Sequence, residues 1–289
     1  MLKFWLIYCV LITLPAFTWA ANDKESAADK SFWYRVPQHD LVYINTAQGQ
    51  VVLALTDSIA PNHVKRFKTL VKDGFFDKQY FYRVVEGFVA QAGANPQQSV
   101  EQSYPPLAAE FLKSSVEGFY EVERPAPFAP VSGFINGFAA GTTPDRQGYW
   151  LTHCPGAVAM ARDNKADTAT TDFYIVLGQA PRHLDRNMSV FGRVVAGMAA
   201  LQRLPRGDNK NGGVISDPDK DSAIINAAMG SSLPTEQQRH FKIQLPGHSA
   251  YQNKLLTAKT LSNSFFIDKS LAPRAVDICY VQTEIEETQ

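Results

Sequence analysis

The sequence predicts a mainly β protein, a barrel or sandwich, on two observations. Short runs with strand-like alternation recur along the chain, as at Val51, Leu53 and Leu55. Only two segments carry clear helical signals, too few to cover a parallel sheet on both faces.

The elements follow in order. The first 20 residues hold one charge, Lys3, then an apolar stretch from Phe4 to Phe17 and Thr18-Trp19-Ala20 ahead of the polar Ala21-Asn22-Asp23-Lys24. A short basic end, an apolar core and small residues at a cleavage point predict an export signal over residues 1–20, and hence a periplasmic or secreted protein. An uncleaved anchor is the alternative, although the apolar run is short for a bilayer span of about 20 residues. Leu6 to Cys9 resembles a lipid-attachment box, but more apolar residues follow Cys9. Residues 21–40 are expected to be a disordered leader, since ANDKESAADKSF is polar and patternless.

From Leu41, two alternating runs joined across Ala47-Gln48-Gly49 predict a β-hairpin. APNHVKRFKTLVKDG follows, with Pro61 in a first turn, Val64, Phe67, Leu70 and Val71 at helical spacing, and Gly74 as a stop. Phe81 to Gln91 reads as two strands broken near Gly87. Residues 94–150 are rich in Pro, Gly and Phe and are expected to be an irregular insertion with a short helix near Leu107 to Leu112. Strand patterns resume at Gly156 to Met160, Phe173 to Leu177 and Ser189 to Val194. A second helix, Met198 to Leu204, is ended by Pro205. RGDNKNGGVISDPDKD is a loop, and Ala223 to Ala228 is a last strand of a body that runs over 41–230. The extension 231–289 is expected to pack on that body, with HFKIQL as a strand, SAYQNKLLTAK as a helix and AVDICYV as a further alternating run.

Lys and Arg number 28 and Asp and Glu 28, and loss of Lys3 with the signal leaves 27 against 28. A balance this even supports neither a nucleic-acid partner nor an anionic membrane surface, and neither is expected after signal cleavage. A monomer is expected, although the charge balance does not bear on it. Cys154 and Cys279 are the cysteines left once Cys9 is removed. In an exported chain they are expected to form a disulfide, two buried thiols being the alternative. The bridge closes a loop long enough to be worth at most about 4–5 kcal/mol in the chain-entropy account.

FYRVVEGFVAQAG, residues 81–93, sets one charge, Arg83, among Phe81, Val85, Phe88 and Val89. Such a charge is costly without a partner, and an ion pair with Glu86 or another carboxylate is the plain explanation. Together with GAVAMAR, TDFYIVLG and HLDRNMSVFGRVVAGM in fixed order, however, this run resembles the cyclophilin family of peptidyl-prolyl isomerases. The resemblance covers residues 41–228, and the segments outside it suggest a longer exported bacterial subtype.

The resemblance implies a closed eight-stranded antiparallel barrel capped by two helices, with its site on an outer face. It implies a substrate of proline-containing, unfolded or extended polypeptide and no cofactor. Arg83 is then the catalytic donor to the prolyl nitrogen, a role suited to a permanent cation, and Gln91 holds the substrate backbone. Phe88, Val89, Tyr174 and Leu184 form the proline pocket, with Ala161 and Arg162 beside the preceding residue. Four positions depart from the family pattern: Asp172 for a neutral amide, Arg162 for Asn, His183 for Trp or Phe, and Met188 for His or Tyr. The resemblance places Asp172 near Arg83, where the carboxylate either holds the guanidinium or neutralises it. A weak or inactive peptide-binding module is therefore the alternative function. G-x-S-x-G, G-x-x-x-x-G-K and H-E-x-x-H are all absent, and His153-Cys154 alone makes a poor metal site.

Overall fold

In the computed structural model, which describes residues 28–94 and 100–288, the alternating runs become strands around one barrel. The expected export signal and residues 21–27 lie outside the described residues. In chain order the elements are β1 (Trp33–Arg35), β2 (Leu41–Thr46), β3 (Gly49–Leu55), α1 (Pro61–Lys72), β4 (Phe81–Val84) and β5 (Val89–Ala92). Next come β6 (Phe119–Glu123), β7 (Val131–Ile135), β8 (Phe138–Thr142) and β9 (Tyr149–Leu151). The body resumes with β10 (Ala157–Met160), β11 (Phe173–Val176), β12 (Val190–Ala196), α2 (Met198–Gln202) and β13 (Ile224–Met229). The extension adds β14 (His240–Gln244), α3 (Ser249–Thr260) and β15 (Ile285–Thr288).

Eight antiparallel strands run in the order β13-β2-β3-β12-β10-β11-β5-β4. The two end strands meet through a Tyr80–Ala223 bridge, with Ile224 N donating to Gln79 O at 2.8 Å. Closure of this kind leaves no free edge.

The two-residue period sorts the side chains. Val51, Leu53 and Leu55 point into the lumen with Phe173 and Ile175, whereas Val52, Ala54, Tyr174 and Val176 point outward. Phe67 of α1 plugs the lumen, with ring centroids 5.0–5.2 Å from Phe76, Phe173 and Phe191. Much of the outer face of the barrel is buried as well, covered by Ile135, Phe138 and Leu151 of β7–β9 and by Phe241 and Ile243 of β14.

Three expectations are corrected. The leader is ordered from residue 28 onward: β1 pairs with β14, and β14 with β15, in a three-stranded sheet. Strand pairing and ring contacts explain it, since Trp33 lies edge-on to His248 and under the Lys242 ammonium. Within the stretch 94–150, β6-β7-β8-β9 form an antiparallel meander, and residues 107–112 are extended, without a helix. Leu107 N donates to Ala169 O and Ala109 N to Asp167 Oδ1, so those donors are unavailable for helical bonding. Glu110 instead accepts from the backbone of Asn62 and His63, capping α1, whose N-cap residue Ala60 offers no side-chain acceptor. Finally, residues 275–281 form no strand; 275–277 are irregular and 278–281 turn. Asp277 Oδ1 accepts from Cys279 N at 2.6 Å, an Asx turn that breaks the alternation.

Arg193 of β12 ties the pieces together. Its guanidinium donates to Gly137 O of the insertion and to Thr283 Oγ1 and Gln282 Oε1 of the extension. No carboxylate pairs with it among the described residues, and burial pushes its pKa down to about 10. Cys154 and Cys279 are joined in a disulfide, their Cα atoms 4.9 Å apart.

Candidate active site

The register of four strands aligns one row of outward side chains. Arg83 of β4 faces Gln91 of β5, Gln91 faces Tyr174 of β11, and Tyr174 faces Ala159 of β10. A β-bulge between Phe81 and Arg83 inserts Tyr82 as an extra residue. Bulges re-aim side chains, and here both Tyr82 and Arg83 reach Gln91.

The row floors a cavity of about 220 Å³ lined by Arg83, Phe88, Val89, Gln91, Ala161, Arg162, Tyr174, Leu184 and Met188. Its walls are mixed, with Phe88, Val89, Leu184 and Met188 beside the polar Arg83, Gln91 and Arg162. Leu184 enters from a 3-10 turn, Arg182–Leu184, that leaves His183 on the outside. His183 is exposed and does not line the cavity; it stacks on Phe88 at 6.5 Å between centroids. An adjoining cavity of about 280 Å³ shares Gln91, Ala161 and Arg162 and adds Tyr82, Asp163, Thr168 and Asp172. Arg162 lines both and is tethered, its Nε and Nη2 donating to Asn187 O and its guanidinium lying over Phe111 of the insertion.

Arg83 is held from two sides. Nε donates to Gly212 O at 2.8 Å, and Nη1 donates to Gln91 Oε1 at 3.1 Å. Nη2 has no protein partner among the described residues. Gly213, at φ +82°, lets its loop lie against β4, where a Cβ would stand 2.3 Å from Val85 Cγ2.

Asp172 does not touch Arg83. Gln91 Nε2 donates to Tyr82 Oη at 2.6 Å, and Tyr82 donates to Asp172 Oδ1 at 2.6 Å. The chain Arg83, Gln91, Tyr82, Asp172 therefore runs donor to acceptor at every step, which fixes the Gln91 amide with its oxygen toward the guanidinium. Burial raises the Asp172 pKa, against the lowering effect of bonds from Tyr82, Thr171 and Ala94 N. Burial, followed by the Asp172 charge, drives the Tyr82 phenol upward, so it stays a neutral donor. Gly93 makes room for this carboxylate, since a Cβ there would meet Asp172 Cγ at 2.5 Å.

Behind the cavity, Tyr174 Oη lies 2.8 Å from His153 Nε2, and His153 Nδ1 lies 2.9 Å from Asp185 Oδ1. Burial pushes Asp185 upward, but the His153 bonds and the Arg182 charge outweigh it, and its pKa falls below 3.8. His153 thus serves a hydrogen-bonded chain, while Cys154 is spent in the disulfide. Among the described residues no group of three or more His, Cys, Asp or Glu is placed to hold a metal.

Sequence reasoning did not pick out Tyr82, Asp185, Phe111 or the Gly212-Gly213 loop. Tyr82 stands beside Arg83 in the sequence, but only the bulge turns it toward the site; Asp185 follows Leu184 in the HLDRNM run and Gly212-Gly213 fall in a stretch read as a loop, yet neither carries a sign of its partner.

Residues 41–229 match the family model described as cyclophilin type peptidyl-prolyl cis-trans isomerase/CLD. The chain belongs to that family, and its activity class is peptidyl-prolyl cis-trans isomerase. It is 28% identical over 214 residues to a probable peptidyl-prolyl cis-trans isomerase of Brucella suis, covering 74% of this chain and 90% of that one. It is 27% identical over 195 residues to peptidyl-prolyl cis-trans isomerase A of Dickeya dadantii, covering 65% and 82%. Among solved structures, cyclophilin AquaCyp293 from Hirschia baltica shares the fold at a TM-score of 0.69 and 23% identity, over 90% of this chain and 95% of that chain.

Proposed function

We propose that the chain isomerises X-Pro bonds of exported, extended polypeptides, with Arg83 as the group that lowers the rotational barrier. The amide before a proline resists rotation by about 18–20 kcal/mol because of resonance. As the bond twists, the prolyl nitrogen pyramidalises and becomes a hydrogen-bond acceptor. A fixed cation donating to it stabilises the twisted state more than the planar one, which is catalysis by differential binding. One observation carries the reading: Arg83 is clamped by Gly212 and Gln91 with Nη2 left unpartnered beside a cavity of about 220 Å³ into which Phe88, Val89, Leu184 and Met188 bring apolar surface.

Phe88, Val89, Tyr174, Leu184 and Met188 seat the proline ring. Gln91 both orients the guanidinium and meets the substrate backbone, and Ala161 aligns the residue before proline. Asp172 supports an active enzyme because it acts through Tyr82 and leaves the guanidinium uncovered. His183 contributes through Phe88 rather than by touching the ring. An isomerisation assay on a short peptide with one Ala-Pro bond tests the mechanism. Wild-type turnover that collapses in Arg83→Ala is expected, and equal activity in the two proteins overturns it.

Export to the periplasm, with secretion as the alternative, rests on Lys3, the Phe4 to Phe17 stretch and the small residues ending at Ala20. Among the described residues no helix is long and apolar enough to cross a membrane. Recovery of a chain beginning at Ala21 from the periplasm is the expected result. Cytoplasmic protein that retains Met1 rules export out.

A further inference from the structure

We infer that Asp277, in the C-terminal extension, is a positioning residue for the proline pocket, acting on Tyr174 through a buried chain of side chains. The inference rests on the pocket assignment above.

The links run from the extension to the cavity floor. Asp277 Oδ2 accepts from Arg182 Nη1, and Arg182 Nε donates to Asp185 Oδ2 at 2.7 Å. Asp185 Oδ1 accepts from both the backbone N and Nδ1 of His153 at 2.9 Å. A carboxylate only accepts, so Nδ1 carries a proton, and Nε2 shares the second hydrogen bond of the ring with the Tyr174 hydroxyl. Tyr174 in turn presents its ring to the cavity.

Burial makes the coupling consequential. His153 is 0% exposed and Tyr174 4%, and the side chains of Arg182 and Asp185 are each 6% exposed. Water cannot readily replace a lost partner there, so each break leaves a desolvated polar group that the neighbours must shift to satisfy. Arg182 has little slack, because its Nη2 is already buried without a hydrogen-bond partner.

The disulfide closes the circuit. Cys154 follows His153 directly, and Cys279 lies two residues beyond Asp277 and donates its backbone N to Asp277 Oδ1. The bridge therefore delivers the Asp277 carboxylate to Arg182 beside the histidine that holds the pocket floor. The pocket is complete only with the extension in place.

A double-mutant cycle on the full chain tests this. Asp277→Asn, Tyr174→Phe and their combination are compared with wild type for the Kd of a short peptide with one Ala-Pro bond and for kcat/KM, with Tm as a check on folding. Each single variant is expected to weaken binding by about threefold to tenfold, and the double variant to be no worse than the weaker single, the non-additivity of groups acting through one network. Wild-type affinity in Asp277→Asn, or losses that multiply in the double variant, overturns the inference. Should Asp277→Asn fold poorly, Tyr174→Phe, which keeps the ring and removes only the hydroxyl, decides alone: unchanged affinity overturns it. A wild type that binds the peptide without turning it over defeats the isomerase reading and leaves Kd to judge the relay. One that fails to bind defeats both.

Discussion

Two hydrogen-bonded chains flank the same cavity, and they differ in where they end. The one on the β4 side, Arg83-Gln91-Tyr82-Asp172, is assembled from β4, β5 and the residue preceding β11, and its working end faces the cavity. The one behind the floor, Tyr174-His153-Asp185-Arg182-Asp277, is buried and crosses from the barrel into the extension. A local chain can orient a reacting group with few parts. A long-range chain makes the shape of the pocket depend on a segment far away in sequence.

The sharpest way to break this contrast is to remove the working end. Arg83→Ala is expected to lower kcat/KM about 100-fold or more, the scale for loss of one preorganised donor, while peptide binding changes far less. Gln91→Ala frees the guanidinium on one side and should cost about tenfold in kcat/KM, as a hydrogen bond to a charged group is worth about 1.5 kcal/mol.

The two carboxylates distinguish the chains by pH. The folded pKa of Asp172 is raised above 3.8, so the native state binds its proton more tightly than the unfolded chain does. Relative to Asp172→Asn, wild-type stability should therefore decline as pH rises from about 3.8 through the raised value. Asp185 is lowered, so its contribution is present above 3.8 and lost as pH falls through the lowered value. Denaturant unfolding across the acid range should thus give slopes of opposite sign against the two Asn variants, and slopes of one sign would dissolve the distinction. The smallest effect is expected from Phe111→Ala, which removes the ring under Arg162 and should change peptide affinity about twofold, in line with an exposed cation–π contact.

The cavity was more legible in the sequence than either chain. Arg83, Gln91, Phe88, Val89, Tyr174, Leu184 and Met188 come from ordered motifs and line one cavity; strand pairing sets Arg83, Gln91 and Tyr174 in one row, whereas Phe88, Leu184 and Met188 stand outside the strands. Tyr82 escaped because a bulge has no sequence signature, and alternation alone would turn it away from Arg83. The second chain escaped for a different reason: His153, Asp185 and Asp277 are brought together by packing between segments, and no local pattern encodes such proximity. The same holds for the insertion, whose strands are stabilised by the outer wall of the barrel more than by their own alternation, and for β1, whose three residues have meaning only beside β14.

Arg193 gives these attachments a practical meaning for anyone trimming the protein. A minimal barrel cut after residue 230 loses Thr283 and Gln282 and leaves the guanidinium with only Gly137 O of its three protein acceptors. The compact version of this enzyme is therefore not contained in its longer sequence as a removable unit; a deletion would have to be matched by a neutral, space-filling residue at position 193.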